Sequence, residues 1–330
     1  MRSFLAVIGA WFLFASSASA WNEFGHMAVA RVAYREMDDG LKVRVAKLIQ
    51  EHPHYKDHLS NLCPADVPVA EWAFLRAATW SDWIRPKKDD PRGDRVTGYH
   101  RPGDHYVNMP IVPDGYLDVF RDLKADPDVQ DIVGAFKQRI TEVKLRSATK
   151  ADRAVAICWM SHLIGDVHQP LHCGTLFSSI FPDGDLGGNR FGVTVEGKGV
   201  KLHAFWDDAL GKAEGWESDS ASRQAKLYER LKEIDETLRD PKYGRDKLQE
   251  LGKSTTFPSW VRESHELAVR VGYREGKLRG AVVSFNAPVP TDAPSLSVEY
   301  VATAKELAKV RIVLAGYRLA DKLKEALPKD

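Results

Sequence analysis

Ser161-His162-Leu163-Ile164-Gly165-Asp166-Val167-His168-Gln169-Pro170-Leu171-His172 puts three histidines and one carboxylate into twelve residues. Its apolar members, Leu163, Ile164, Val167 and Leu171, are spaced as on a buried helix and not as on a solvated loop. His162 and Asp166 stand at i and i+4, so on a helix they share a face and can hold one metal ion or two adjacent ones. At about 100° per residue, His172 falls about 80° from His162 on the side away from Asp166. Pro170 is placed to bend or end the helix between them. Neutral imidazole and carboxylate together suit zinc. The competing reading is a polar helix face that happens to collect histidine, so the decision passes to the rest of the chain.

Upstream, residues 1–20 read as a secretory signal. Arg2 supplies the positive start, Phe4 to Phe14 an apolar run, and Ala18-Ser19-Ala20 a small-residue cleavage site. The apolar run is shorter than the roughly 20 residues of a spanning helix, so no membrane anchor is expected. Cleavage there would start the mature chain at Trp21 and export it, making it secreted or periplasmic. It would also remove one of 47 basic residues and none of 46 acidic ones, leaving a formal charge of zero. That balance excludes the global basic footprint of a duplex-DNA binder. Cys63, Cys158 and Cys173 are an odd set for an exported chain. On one continuous helix Cys158 and Cys173 would lie about 22 Å apart, so buried free thiols are expected there.

Taken in order, the mature chain is mostly helical. Met27, Ala30, Val32 and Ala33 mark a buried helix with His26 at its start, and a second helical pattern covers 38–50. Residues 51–58, Glu-His-Pro-His-Tyr-Lys-Asp-His, are polar and broken by proline, so His52, His54 and His58 are expected on an exposed loop. Helical spacing returns at 66–83, where Asp82 lies between Trp80 and Trp83; an unpaired carboxylate is costly to bury, which favours a ligand, with an N-cap or an ion pair to Arg85 as the rival. Residues 86–104 read as a mobile insertion, followed by a short apolar segment carrying His105, with His100 as its local rival. Helical patterns resume over about 130–172. The glycine-rich interval 174–200, with alternating Phe191, Val193 and Val195, predicts a loop and a β-hairpin. Next comes a second i, i+4 pair, His203 and Asp207. The rest reads helical, with a charged solvated stretch at 213–250 and an amphipathic helix over 299–326 that should close the core.

With Trp21, His26, Asp82, His105, the 162–172 block and the His203/Asp207 pair in view, the chain resembles the S1/P1 family of zinc-dependent nucleases. The likeness extends through Gly187-Gly188-Asn189, Trp260 with Glu263-Ser264, and Ala315-Gly316-Tyr317-Arg318-Leu319-Ala320. It implies a mostly α, single-domain helical fold with a small β-hairpin over 21–330, shared with zinc-dependent phospholipase C, and three zinc ions at the bottom of a cleft. Asp82, His105, His162 and Asp166 would surround one ion. Trp21, through its amine and carbonyl, would join His26 and Asp166 around a second, so that Asp166 bridges the pair. His172, His203 and Asp207 would hold the third. His168 and His52, His54 and His58 have no ligand role in that pattern. Arg85 matches a position where a cation helps to bind phosphate, and Tyr106 one where an aromatic ring stacks on the base. Asn108 stands where several fungal members have an aspartate that orients the attacking water.

The resemblance implies hydrolysis of single-stranded DNA and RNA to 5′-phosphorylated products, with nucleotides as further ligands and room for a 3′-nucleotidase activity. Paired zinc ions suit that chemistry because together they lower the pKa of a shared water, while a third offsets phosphoryl charge. Stacking on Tyr106 would favour single strands, because a duplex base must first be unstacked. No obligate protein partner is evident. The rival within the fold is a zinc-dependent phospholipase C, whose last ligand pair typically ends in Glu where this chain has Asp207. A zinc-scavenging protein would instead need closed sites of four protein ligands, whereas this carboxylate-rich set leaves positions for water.

Overall fold

Helix α1, Glu23–Glu36, begins where Asn22 caps it by accepting from the Gly25 amide at 3.0 Å, and is buried without interruption from Phe24 to Ala33. Such burial is possible because most of that run is Ala, Val, Gly and Met, which let neighbouring helices approach on every side. The computed structural model describes residues 21–86, 90–120, 131–211 and 220–329. The expected signal at 1–20 and the start of the charged stretch, 213–219, lie outside the described residues.

The helices that follow are α2 Asp39–Ile49, α3 Val69–Ala77, α4 Trp80–Trp83, α5 Asp94–Thr97, α6 Ile132–Lys144, α7 Lys150–Asp166, α8 Leu202–Asp207, α9 Ala221–Arg239, α10 Glu250–Lys253, α11 Phe257–Leu267 and α12 Val298–Ala326. Helix α7 runs through the middle, packed on α6, α2, α12, α4 and α1. From Ala156 to Asp166 every residue of it is buried, and so is every residue from Arg311 to Ala320 in α12. The apolar pattern at 299–326 therefore closes the core against α1, as expected. Trp21, Trp72, Trp80, Trp159 and Trp206 are among the largest fully buried side chains. Each such ring removes apolar surface worth roughly 4–6 kcal/mol before conformational entropy is subtracted. Among the described residues no helix is long and apolar enough to cross a membrane.

Strands are few and short. The expected hairpin is β3, Phe191–Val195, against β4, Lys198–Lys201, with Val193 opposite Val200 and a turn at Glu196-Gly197. Positive φ at both turn residues, 50° and 75°, gives the turn the twist that a two-residue hairpin requires. Strand β5, Ala281–Val282, joins the other side of β3. A second, parallel pair, β1 Pro110–Ile111 with β2 Thr175–Leu176, was not readable in the sequence. It fastens the segment after His105 to the segment after His172, helped by Val107 N to His172 O at 2.8 Å.

Two expectations need correction. His52, His54 and His58 are not on an exposed loop: their exposures are 3%, 5% and 2%. Pro53 does interrupt the helical pattern, but Trp80, Trp83 and Tyr99, all more than twenty residues away in sequence, pack against these rings. The described part of 86–104 is anchored to α4 and does not stand free. Arg92 lies over the Trp83 ring at 4.7 Å and donates to the Trp83 and Arg85 carbonyls while pairing with Asp90. Cys63, Cys158 and Cys173 are free thiols, the last two buried as expected.

Candidate metal centre

Six elements deliver the candidate ligands to one buried place. His26 comes from α1, Asp82 from α4, His105 from the end of a 3₁₀ turn at Pro102–His105, and His162 and Asp166 from α7. His172 comes from the 3₁₀ turn Pro170–Cys173, where the proline has indeed ended the helix, and His203 and Asp207 from α8. Three groups of converging donors result: His26, Asp82 and His162; His105, His162 and Asp166; and His172, His203 and Asp207, with the donor atoms of each group within 4.8 Å of one another. His162 belongs to two of these groups and Asp82 sits beside His26, so the five residues of the first two form one continuous site.

Asp166 spans that site. Its Oδ1 is 3.3 Å from His26 Nε2, while its Oδ2 is 2.9 Å from His105 Nδ1 and 3.2 Å from His162 Nε2. Beside it Gly165 has no side chain because none would fit: a Cβ there would lie 2.8 Å from His26 Nδ1. This glycine lets the His26 ring stack on His162 with centroids 4.0 Å apart. Both His26 nitrogens, Asp166 Oδ1 and His105 Nε2 are buried without a hydrogen-bond partner. Burial pushes the Asp166 carboxyl up to about 6, against the pull of His162. It also holds His26 and His105 well below the ordinary histidine value, and Arg85 adds to both shifts. His162 is raised, because Asp166 and Asp82 outweigh the opposing effect of burial.

The third group makes the strongest case for a cation. His172 Nδ1 lies 2.7 Å from the His105 carbonyl and His203 Nδ1 lies 2.7 Å from the Gly187 carbonyl. A carbonyl only accepts, so both Nδ1 atoms carry protons and both Nε2 atoms are bare lone pairs in the neutral rings. Those two Nε2 atoms face each other at 3.1 Å. Two lone pairs so placed repel, and a shared cation resolves the conflict. A proton is disfavoured, since burial and then His203 hold His172 well below its ordinary value. Asp207 completes the group at 3.7 Å from His203 Nε2. His162 repeats the arrangement, with Nδ1 2.8 Å from the Ala78 carbonyl and Nε2 turned to the site. Fixing the tautomer through the far nitrogen is how metal-binding histidines are held.

The remaining expected residues lie around these groups. Arg85 Nη2 is 2.6 Å from Asp82 Oδ1, so the ion pair considered as a rival exists together with the convergence of Asp82 on His26 and His162. Tyr106 is half-buried beside His105, and Asn108 is exposed two residues further on. The Trp21 indole is fully buried and donates to the Gly165 carbonyl at 3.0 Å, while the next amide, Asn22 N, reaches the Asp207 carbonyl at 3.2 Å. The chain at 21–22 thus runs between the two halves of the centre. His168 faces away: Nδ1 bonds the Ile164 carbonyl, and Nε2 accepts from Arg318 at 2.7 Å.

One functional residue was missed. Gln169 donates to Asp207 Oδ1 at 2.7 Å and accepts from the Leu171 amide at 2.6 Å, so it aims the last carboxylate. Its place between two histidines of the block was the available signal. The carbonyls of Ala78, His105 and Gly187 left no trace in residue identity, except that Gly187 adopts φ 61°, where a Cβ would lie 2.6 Å from the Leu171 carbonyl oxygen.

Comparison with known proteins finds sequences similar to this chain. A sequence model described as S1/P1 Nuclease matches residues 21–328. Endonuclease 1 of Arabidopsis thaliana is similar at 25% identity over 92% of this chain and 86% of its own. Endonuclease 3 of the same plant is 26% identical over 59% of this chain, a match spanning little more than half of that relative, 56%. Nuclease S1 of Aspergillus oryzae is 34% identical over a shorter stretch, 29% of this chain and 31% of its own.

Proposed function

Because the chain belongs to the S1/P1 nuclease family, we propose that it is an exported, zinc-dependent hydrolase of phosphodiester bonds that cuts single-stranded DNA and RNA to 5′-phosphorylated products. The observation that carries this reading is the convergence of buried, tautomer-fixed histidines and carboxylates into three cation-seeking groups. When bound, zinc ions would supply Lewis acidity toward the phosphoryl group and a nucleophilic water at neutral pH.

The chain's own residues divide the remaining work. Asp166, with an oxygen on each side, is suited to join two ions. Arg85 can hold the phosphate through its guanidinium, and Tyr106 can stack on the neighbouring base. Asn108, as an amide, can orient water by hydrogen bonding but cannot take its proton. The match of the family model from residue 21 supports cleavage before Trp21, whose freed amine and carbonyl would then join His26 and Asp166. The same site can accept 3′-nucleotides, since they present the same phosphate and base.

The test compares hydrolysis of single-stranded DNA, RNA and phosphatidylcholine vesicles by the mature protein, before and after chelation and after zinc is returned. Rapid loss of both oligonucleotides, abolished by the chelator and restored by zinc, is expected. Hydrolysis of phosphatidylcholine in preference to both would move the protein to the phospholipase branch of the fold, and chelator-resistant cleavage would overturn the metal reading.

A further inference from the structure

The histidines of residues 52–58 are not ligands, yet one of them stands directly behind the metal centre. Tyr55–Leu59 forms a single π-helical turn, an uncommon geometry, and it presents His58 to the interior. His58 Nδ1 lies 3.0 Å from Arg76 Nη2, and Nε2 lies 3.1 Å from Thr79 Oγ1. A guanidinium only donates, so Nδ1 accepts and Nε2 carries the proton that goes to Thr79. Thr79 Oγ1 in turn donates to the Arg76 carbonyl at 2.9 Å, closing a loop of bonds with one consistent direction. The ring stacks on Trp83 with centroids 4.7 Å apart.

What this loop holds is the short turn that makes half of the first site. Thr79 is the residue before α4, and its carbonyl accepts from the amides of Asp82 and Trp83 at 3.2 and 3.1 Å. The preceding residue, Ala78, offers the carbonyl that fixes the tautomer of His162. From the other side, Arg76 pairs with Glu23, in the first turn of α1 and three residues before His26, and Arg223 Nη2 holds the same carboxylate at 2.5 Å. One buried chain of bonds thus ties together the turn bearing Asp82, the anchor of His162 and the helix bearing His26.

We propose that His58, acting through Thr79 and Arg76, is a positioning residue that sets Asp82, His162 and His26 at the spacing needed for the paired metal ions. The proposal rests on the metal reading above. A four-residue helix such as α4 has too few internal hydrogen bonds to keep its own place. Without the bonds to His58, the Ala78 carbonyl and the Asp82 carboxylate would move independently of each other. The third group is anchored instead by the His105 and Gly187 carbonyls and by Gln169, none of which hydrogen-bonds to the His58 loop among the described residues.

The experiment measures zinc occupancy of the full mature protein in metal-buffered solutions, alongside thermal unfolding of the metal-free form. His58→Phe keeps a ring against Trp83 and removes both hydrogen bonds; Thr79→Val removes only the hydroxyl, and Thr79→Ser restores it. His58→Phe and Thr79→Val are expected to need at least tenfold more free zinc to fill the pair while keeping the third ion. The double variant should be no worse than His58→Phe, and Thr79→Ser should behave as wild type. If His58→Phe does not fold, Thr79→Val decides. Wild-type zinc binding by the variants, with only a lower unfolding temperature, would overturn the positioning role and leave the metal reading standing. A wild-type protein that binds no zinc would overturn both.

Discussion

Asp166 lies at the middle of the candidate metal centre. It is fully buried, its two oxygens face different histidines, and burial lifts its carboxyl to about 6 because it outweighs the pull of His162 and Arg85. A divalent ion on each side would offset the cost of that burial. Asp166→Asn keeps the shape and removes the charge, so it should abolish nearly all single-strand hydrolysis and empty the paired site while the third ion stays. Wild-type turnover with both paired ions retained would refute the bridge. The i, i+4 spacing of His162 and Asp166 was legible in sequence because both lie on one helix; that His26 stacks on His162 was not, because α1 and α7 are more than a hundred residues apart.

At the scale of elements, the start of α1 deserves the closest test. Asn22 caps the helix, the Trp21 indole anchors it to the Gly165 carbonyl, and residue 21 therefore lies beside Asp166. An anchoring role for the indole needs no free terminus, whereas the ligand role proposed for Trp21 does. An α-amine binds metal only when neutral, and its ordinary pKa is about 7.7–8.0, whereas a mid-chain amide is a very poor ligand. Mature protein carrying a single extra residue before Trp21 should thus bind one zinc fewer and lose single-strand hydrolysis, while its circular dichroism stays unchanged. Three zinc ions and full activity in the extended protein would eliminate the amine as a ligand. Export, on this reading, would complete the site.

For the whole molecule, the pH dependence of stability should be set partly by an ion network beneath the 162–172 block. Glu263 pairs with Arg318 at 2.7 Å and with Arg311 at 3.1 Å, and Arg311 Nε also bonds the His168 carbonyl at 3.2 Å. Burial opposes the charge on Glu263, but the two arginines outweigh it and hold its carboxyl below the usual range. A carboxyl lowered in the folded state stabilises fully above its unfolded pKa, about 4.3, and loses that contribution as pH falls through the folded value. Glu263→Gln should therefore cost about 2–3 kcal/mol at neutral pH, the worth of its charged hydrogen bonds after some screening. Urea unfolding of metal-free protein should show the gap between wild type and variant closing below pH 4. A gap of equal size at every pH would exclude this linkage.

Short-range pattern determined much of this protein. The helical periods of α1, α7 and α12, the turn residues of the β3–β4 hairpin and the two His-Asp pairs at i, i+4 are properties of neighbours along the chain, so they can be read from it directly. The candidate ligands His162, Asp166, His203 and Asp207 were legible for the same reason, whereas Gln169 was not, because an amide carries no metal signature of its own. Tertiary structure alone decided the fate of His52, His54 and His58. Whether a polar, proline-broken stretch is solvated depends on what covers it, and here the cover is Trp80, Trp83 and Tyr99. It likewise decided that the Ala78, His105 and Gly187 carbonyls choose the tautomers at the candidate metal centre. Every residue has a carbonyl, and only the path of the folded backbone determines which ones meet an imidazole.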